Sequence, residues 1–354
     1  MRSFVFKVSL IIMMLLSTLY ASLPIVKAQD VMPMDWTSPT KANLQSVYMV
    51  SATDGWAVGG NFSISPPSSS SAIIHWDGTS WSNITSPTKA GLLSVYMVNS
   101  TDGWAVGFSY PADIPAIIHW NGTSWSNVTS PTGAMLLSVF MVSANDGWAV
   151  GTGGTIIHWN GTSWTTVTSP FPYEWSSVFM VSATDGLAVG AELIRWDGTS
   201  WTSWQPNSNP WATGFLSVFM VSASSAWAVG DGGTIIRWDG TSWTAVTSPT
   251  TMILKSVFMV SATSGWAVGT GGAIIRWDGT SWTTVTSPTS NSLNSVFMAG
   301  ATDGWAVGDS GTIIRFNGSV WAPEFPATTL LPLLITATSI VIVLTKTKLR
   351  KRER

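Results

Sequence analysis

The phrase Ile-Ile-His-Trp-Asn-Gly-Thr-Ser-Trp at residues 156–164 is one of seven variants of the same nine residues. The others stand at 73–81, 117–125, 193–201, 235–243, 274–282 and 313–321. A second marker, Ser-Val-aromatic-Met, begins at Ser46, Ser94, Ser138, Ser177, Ser217, Ser256 and Ser295, so successive units lie 48, 44, 39, 40, 39 and 39 residues apart. A unit this short cannot bury a core alone and must stack on its copies, and a period of about 40 residues is that of a propeller blade. Within 256–289 the punctuation marks four strands: SVFMV, a turn at SATSG, WAVG, a turn at TGG, AIIRW, an Asp-Gly, and SWTTVTS before a proline. The strands are β-branched and aromatic, and Asp-Gly or Asn-Gly between two apolar runs is a strong hairpin signal. The expectation is an all-β, seven-bladed propeller of four-stranded blades.

Of the 23 tryptophans, 19 fall in three repeat columns: WAVG, the end of the third strand, and the start of the fourth. A column present in nearly every blade fills the space between sheets more simply than it stacks on a sugar. After Trp321 the seventh unit runs into APEFP where the others read TxVTSPT, and residues 33–40 (PMDWTSPT) match the end of a fourth strand. The sequence therefore predicts a ring closed by an N-terminal strand paired into the last blade.

The histidines carry no chemistry on this reading. His75, His119 and His158 occupy one repeat position that Arg195, Arg237, Arg276 and Arg315 fill in the other blades, and an arginine has no lone pair with which to act as base or metal ligand. Asp54, Asp102, Asp146, Asp185 and Asp303 share another column, with Ser225 and Ser264 replacing them in two blades. A short polar side chain capping its own turn accounts for both residue types, and one carboxylate per turn supplies too few oxygens for calcium. No cofactor and no metal site is read from the chain.

GWAVG, a Gly-Gly hairpin, an apolar strand and DGTSW together resemble the repeat of the photosystem II assembly/stability-factor type of propeller, itself related to sialidase-like BNR repeats. The likeness covers about residues 36–321 and implies the fold. The BNR pattern Ser-x-Asp-x-Gly-x-Thr-Trp is shortened here to WDGTSW, and nothing about photosynthesis follows. A sialidase-like glycoside hydrolase is the enzymatic alternative. It would need converging arginines and two carboxyls about 5 to 9.5 Å apart, and only Glu174 beside Tyr173 is a nonrepeated acid next to a hydroxyl.

The two ends give an expected address. Residues 1–28 have Arg2 and Lys7 ahead of an apolar run and small residues before a cut, the layout of a secretory signal. Ala327–Thr345 is uncharged and, at about 1.5 Å per residue, about 28 Å long as a helix, enough to span a bilayer. The basic tail 346–354 then lies on the cytoplasmic side, with the propeller of 29–321 outside. The linking Pro323-Glu324-Phe325-Pro326, within 322–326 and followed by an apolar helix and a basic end, resembles the archaeal PEF-type C-terminal sorting signal. Without signal and tail the chain keeps 7 bases against 17 acids, too few bases to cluster on nucleic acid. With no cysteine, an exported domain relies on its core rather than on disulfides.

Function is expected where the repeats depart from one another. The insertions, 61–71 and 108–115 between second and third strands and 171–175 and 204–215 between blades, all fall on one face of the ring. Variable loops on a rigid scaffold are where binding residues collect. The candidate anchors are Tyr110, Phe171, Tyr173, Trp175, Trp204 and Trp211, read as belonging to no repeat column. The functional expectation is a noncatalytic, monomeric cell-surface propeller that binds a protein or glycan through this face; a purely structural envelope component is the third class. Sequons at Asn61, Asn83, Asn99, Asn121, Asn127, Asn160 and Asn317 are candidate glycan sites.

Overall fold

The computed structural model describes residues 38–64, 67–204 and 214–323. Each unit forms one antiparallel sheet whose strands, here A to D, lie in chain order. In the first blade A is Leu44–Ser51, B Asp54–Ile64, C Pro67–Trp76 and D Trp81–Asn83. The A strands of the next six are Gly91–Asn99, Leu136–Ser143, Trp175–Ser182, Phe215–Ser222, Leu254–Ser261 and Leu293–Met298. Each A strand packs against the A strands of both neighbouring blades, first against last included, which puts A innermost and closes a seven-bladed ring.

The repeated residues explain the sheet. In B strands such as Asp146–Gly151, every residue after the first is buried, because both sheet faces are covered by neighbouring blades. Between C and D, Asp77 Oδ1 accepts the Thr79 hydroxyl at 2.7 Å and the N–H groups of Thr79 and Ser80 at 2.8 Å, while Gly78 takes a φ of 92° that a side chain would strain. The Thr79 hydroxyl first, then these N–H groups, hold the Asp77 carboxyl down at about 2.

The ring is closed by two girdles around the axis. The Ser Oγ of each A strand accepts the Val N–H of the next at 3.1–3.3 Å, ending with Val47 N–H on Ser295 Oγ at 3.2 Å. Two residues further along each A strand, Tyr48, Tyr96, Phe140, Phe179, Phe219, Phe258 and Phe297 form a continuous ring of side chains with centroids 4.6–4.9 Å apart. Burial there pushes the Tyr48 and Tyr96 hydroxyls above the usual tyrosine range.

The tryptophan columns are core, as their repetition implies. Trp148 of blade 3 meets Trp196 at 4.7 Å and Trp201 edge-on at 5.4 Å, both from blade 4. The last interface is built the same way: Trp305 meets Trp76 at 4.9 Å and Trp81 at 5.3 Å, in one cluster with Leu44, Val47 and Ile74.

One expectation is corrected. The fourth strand of the last blade is not missing: Trp321–Pro323 pairs with Ile313–Phe316 in the register Phe316↔Trp321, Arg315↔Ala322, Ile314↔Pro323. It is as long as Trp282–Thr284 of blade 6, so no N-terminal segment is needed to supply it. Within the expected closing segment 33–40, residues 38–40 are described and form no strand. They run as a blade-to-blade connection, with the Thr40 carbonyl against Gly311 as the Thr289 carbonyl stands against Gly272. Residues 33–37, the signal segment 1–28 and the apolar segment 327–345 lie outside the described residues. Among the described residues no helix is long and apolar enough to cross a membrane.

Candidate functional site: the insertion-bearing face

In blades 3, 5, 6 and 7 a three-residue 3-10 turn joins B to C: Thr152–Gly154, Asp231–Gly233, Thr270–Gly272 and Asp309–Gly311. The second glycine is forced, since a Cβ on Gly154 would run into the Phe171 carbonyl. Blades 1 and 2 replace this turn with hairpins. In blade 1 the ladder continues from Gly60↔Ser71 to Ile64↔Pro67, and in blade 2 it continues to Ser109↔Ile114. Phe62 from the first hairpin stacks on Phe108 from the second at 4.8 Å and 16°, and Phe62 also lies over Gly91, where no side chain fits. Two insertions 46 residues apart in sequence thus become one wall. Phe62 is 38% and Ile114 59% exposed. A cavity of about 480 Å³ opens beside the second hairpin, between Ile114, Pro115 and the connection at Ser130–Gly133.

Tyr110, one of the expected anchors, is half-buried at the tip of that second loop. Phe171 stacks on Tyr173 at 5.6 Å and leans on the core between blades 3 and 4. Tyr173 remains 45% exposed, with its carbonyl accepting the Gly154 N–H at 2.6 Å. Trp211 lies outside the described residues.

Trp175 and Trp204 do belong to repeat columns, contrary to the sequence expectation. Trp175 stands two residues before the Ser-Val of its A strand, as Leu44, Leu92 and Leu136 do in theirs, and it is 0% exposed, so it offers a partner nothing. Trp204 holds the column of Ile84 and Val246, since its N–H donates to the Leu193 carbonyl as theirs donate to Ile73 and Ile235. Its size has a structural cause. Blade 4 alone has Leu187 in place of the WAVG tryptophan, and Trp204 makes the contacts that tryptophan makes elsewhere, meeting Trp238 at 4.2 Å and Trp243 edge-on at 5.6 Å. Phe62, Phe108 and Ile114 were the residues to find instead. Their signal was present, since all three are apolar residues inside insertions.

The same end of the ring holds the one column of the inner strands that varies freely: Gln45, Leu93, Leu137, Ser176, Leu216, Lys255 and Asn294. Lys255 Nζ donates to Asn294 Oδ1 at 2.8 Å, and Asn294 Nδ2 donates to the Leu44 carbonyl at 2.9 Å and to Asp309 Oδ1 at 3.0 Å. Lys255, Asn294 and Gln45 of blades 6, 7 and 1 thus make a polar stretch of this column, while Leu93, Leu137 and Leu216 are apolar.

On the opposite face the His/Arg column is structural. His75, His119 and His158 Nε2 stand 2.8, 2.8 and 2.7 Å from Asp54, Asp102 and Asp146, while Arg195 and Arg315 grip Asp185 and Asp303 at 2.8 and 2.9 Å. The aspartates thus anchor the third strand rather than simply capping their own turns. A groove of about 710 Å³ between blades 2 and 3 has the His119–Asp102 pair in its floor and Trp159 in its wall, all residues of repeat columns. It is the larger cavity, but it is built from repeated residues and so cannot by itself distinguish a partner. Among the described residues no three His, Asp, Glu or Cys side chains could hold a metal.

Seven-bladed rings with this geometry are known. The structure is similar to that of YCF48 bound to D1 peptide (TM-score 0.62, 17% identity, 78% of this chain and 94% of that one). It is similar to YCF48 from Cyanidioschyzon merolae (0.62, 17%, 80% and 97%) and to the WD40 propeller domain of Doa1 (0.61, 13%, 80% and 94%). At these identities the likeness shows the fold alone, in agreement with the resemblance read from the repeats. No protein-family model and no curated relative matches the chain.

Proposed function

We propose that this chain is a noncatalytic propeller, exported and held by its C-terminal segment at the outer face of the membrane, that binds a protein partner through the insertion-bearing face. The carrying observation is the stack of Phe62 on Phe108, with Ile114 of the second hairpin and Tyr173 of the connection before blade 4 exposed among the insertions of the same face. These are apolar side chains gathered at the one end of the ring where the blades differ. Large apolar residues beside a cavity are the usual anchors of a protein interface. One similar structure carries a bound peptide, which supports a protein over a glycan as the ligand. The export and anchor readings rest on the sequence of the two ends.

The test is capture with the full chain from its native membranes by cross-linking, comparing wild type with Phe62→Ser/Ile114→Asp/Tyr173→Ala. At about 2 kcal/mol or more for a hot-spot set, the triple variant should lose partner recovery at least tenfold with its thermal melt unchanged. Recovery lost instead on altering the turns at Ser51–Asp54 and Ser143–Asp146 would place the site on the other face. Released sugars competing for binding would make the ligand a glycan.

A further inference from the structure

In five blades a carboxylate sits between the A–B turn and the third strand, gripped by His or Arg. Blade 4 shows the arrangement most fully, with Arg195 Nε 2.8 Å from Asp185 Oδ1 and Nη2 2.9 Å from Oδ2. Blade 5 keeps the cation and lacks the anion: Ser225 stands where Asp185 does, and Arg237 where Arg195 does. Arg237 is held as Arg276 and Arg315 are, opposite the WAVG tryptophan of its own blade, Trp227, and with its guanidinium 5.3 Å from that ring.

Arg237 Nε is buried with no acceptor, and Ser225 Oγ is buried with no partner. By register the two groups hold the positions at which Asp185 and Arg195 meet in blade 4. The nearest acid in sequence, Asp239, is engaged elsewhere, accepting the N–H groups of Thr241 and Ser242 at 2.8 Å. A guanidinium edge and a hydroxyl make a donor set for a planar, two-oxygen anion, and the fork matches a carboxylate bidentately. Both residues are partly open to solvent. Blade 6 repeats the exchange with Ser264 and Arg276, but there the arginine is exposed rather than enclosed.

We propose that Ser225 and Arg237 form a pocket for the carboxylate of an exogenous ligand, whose oxygens take the place of the missing aspartate. The pocket lies on the face opposite the insertions and does not depend on the protein-binding reading, because a carboxylate alone suffices to fill it.

The probe is formate, exchanged for chloride at constant ionic strength, with thermal unfolding of the full chain as readout. Wild type should show a saturable rise of about 2–4 °C. Ser225→Asp, which supplies the carboxylate internally, should melt higher than wild type in chloride and lose the formate response. Ser264→Asp should keep it. Should Ser225→Asp fail to fold, the Arg237 Nε–H resonance of the wild-type chain decides: it should move saturably with formate while those of Arg195 and Arg315, already paired, stay in place. A formate response undiminished in Ser225→Asp, or an Arg237 resonance that does not move, overturns the proposal.

Discussion

The closure of the ring can be tested by removing one side chain. Trp305 is 0% exposed and forms the blade 7 side of the last interface, touching Trp76 and Trp81 at 4.9 and 5.3 Å. Trp148 occupies the same place between blades 3 and 4, with Trp196 and Trp201 at 4.7 and 5.4 Å. Truncating a buried tryptophan to alanine costs about 3–5 kcal/mol, combining lost transfer energy with an unfilled cavity. Because the two surroundings match, Trp305→Ala and Trp148→Ala should cost the same within about 1 kcal/mol, the usual scatter between like sites. In a domain of this size each kcal/mol lowers the melting temperature by about 2–4 °C, so each variant should melt roughly 6–20 °C lower. Urea unfolding followed by tryptophan fluorescence gives the comparison directly. If the ring were held shut by a strand from residues 33–40 rather than by this packing, deleting 1–37 would be the severe change and Trp305→Ala the mild one. That ordering would refute the closure described here.

Trp204→Val should destabilise by about 2–4 kcal/mol, as a large-to-small core change, and Leu187→Trp introduced with it should recover most of the loss. A double-mutant cycle showing simple additivity would contradict the exchange of roles between these positions. His158→Arg should fold and melt within about 2 °C of wild type, since Arg195 makes the same pair with Asp185 that His158 makes with Asp146. Circular dichroism melts check this. Asp77, Asp197, Asp239 and Asp278 all have carboxyls lowered to about 2 by their turn hydroxyls and N–H groups. A folded pKa below the unfolded one contributes stability above the unfolded value and loses it as pH falls through the folded one, so stability should decline between about pH 4 and 2. Replacing all four by Asn, the residue found at 121, 160 and 317, should flatten that decline; an unchanged acid-unfolding curve would count against it. In glycopeptide mass spectrometry, Asn121, Asn160 and Asn317 should be more fully occupied than Asn83 and Asn127. In the latter pair the amide nitrogens already donate to the Pro39 and Pro87 carbonyls at 2.7 and 3.0 Å.

The periodic part of this protein was determined by its sequence. Strand order, blade number and the core role of the tryptophans follow from residue type and spacing, because a blade's strands pair with their immediate neighbours in the chain and local signals suffice. The insertion-bearing face was legible for the same reason: strand direction alone assigns each connection to one end of the ring. What the tertiary structure decided depends on contacts between blades. Trp204 looked like a free aromatic until its neighbour Leu187 showed the gap it fills, and Trp175 looked like a loop anchor until its strand placed it among the leucines of the core. Phe62 and Phe108 meet only because one hairpin leans across a blade boundary. Of the closing strand expected from residues 33–40, the described residues 38–40 serve as the connection from blade 7 to blade 1, while the fourth strand is Trp321–Pro323, which pairs in its own blade. The unpaired state of Arg237 needed both levels, with the exchange of Asp for Ser written in the repeat and its consequence, a buried Nε–H without an acceptor, visible only where the strands bring the two positions together.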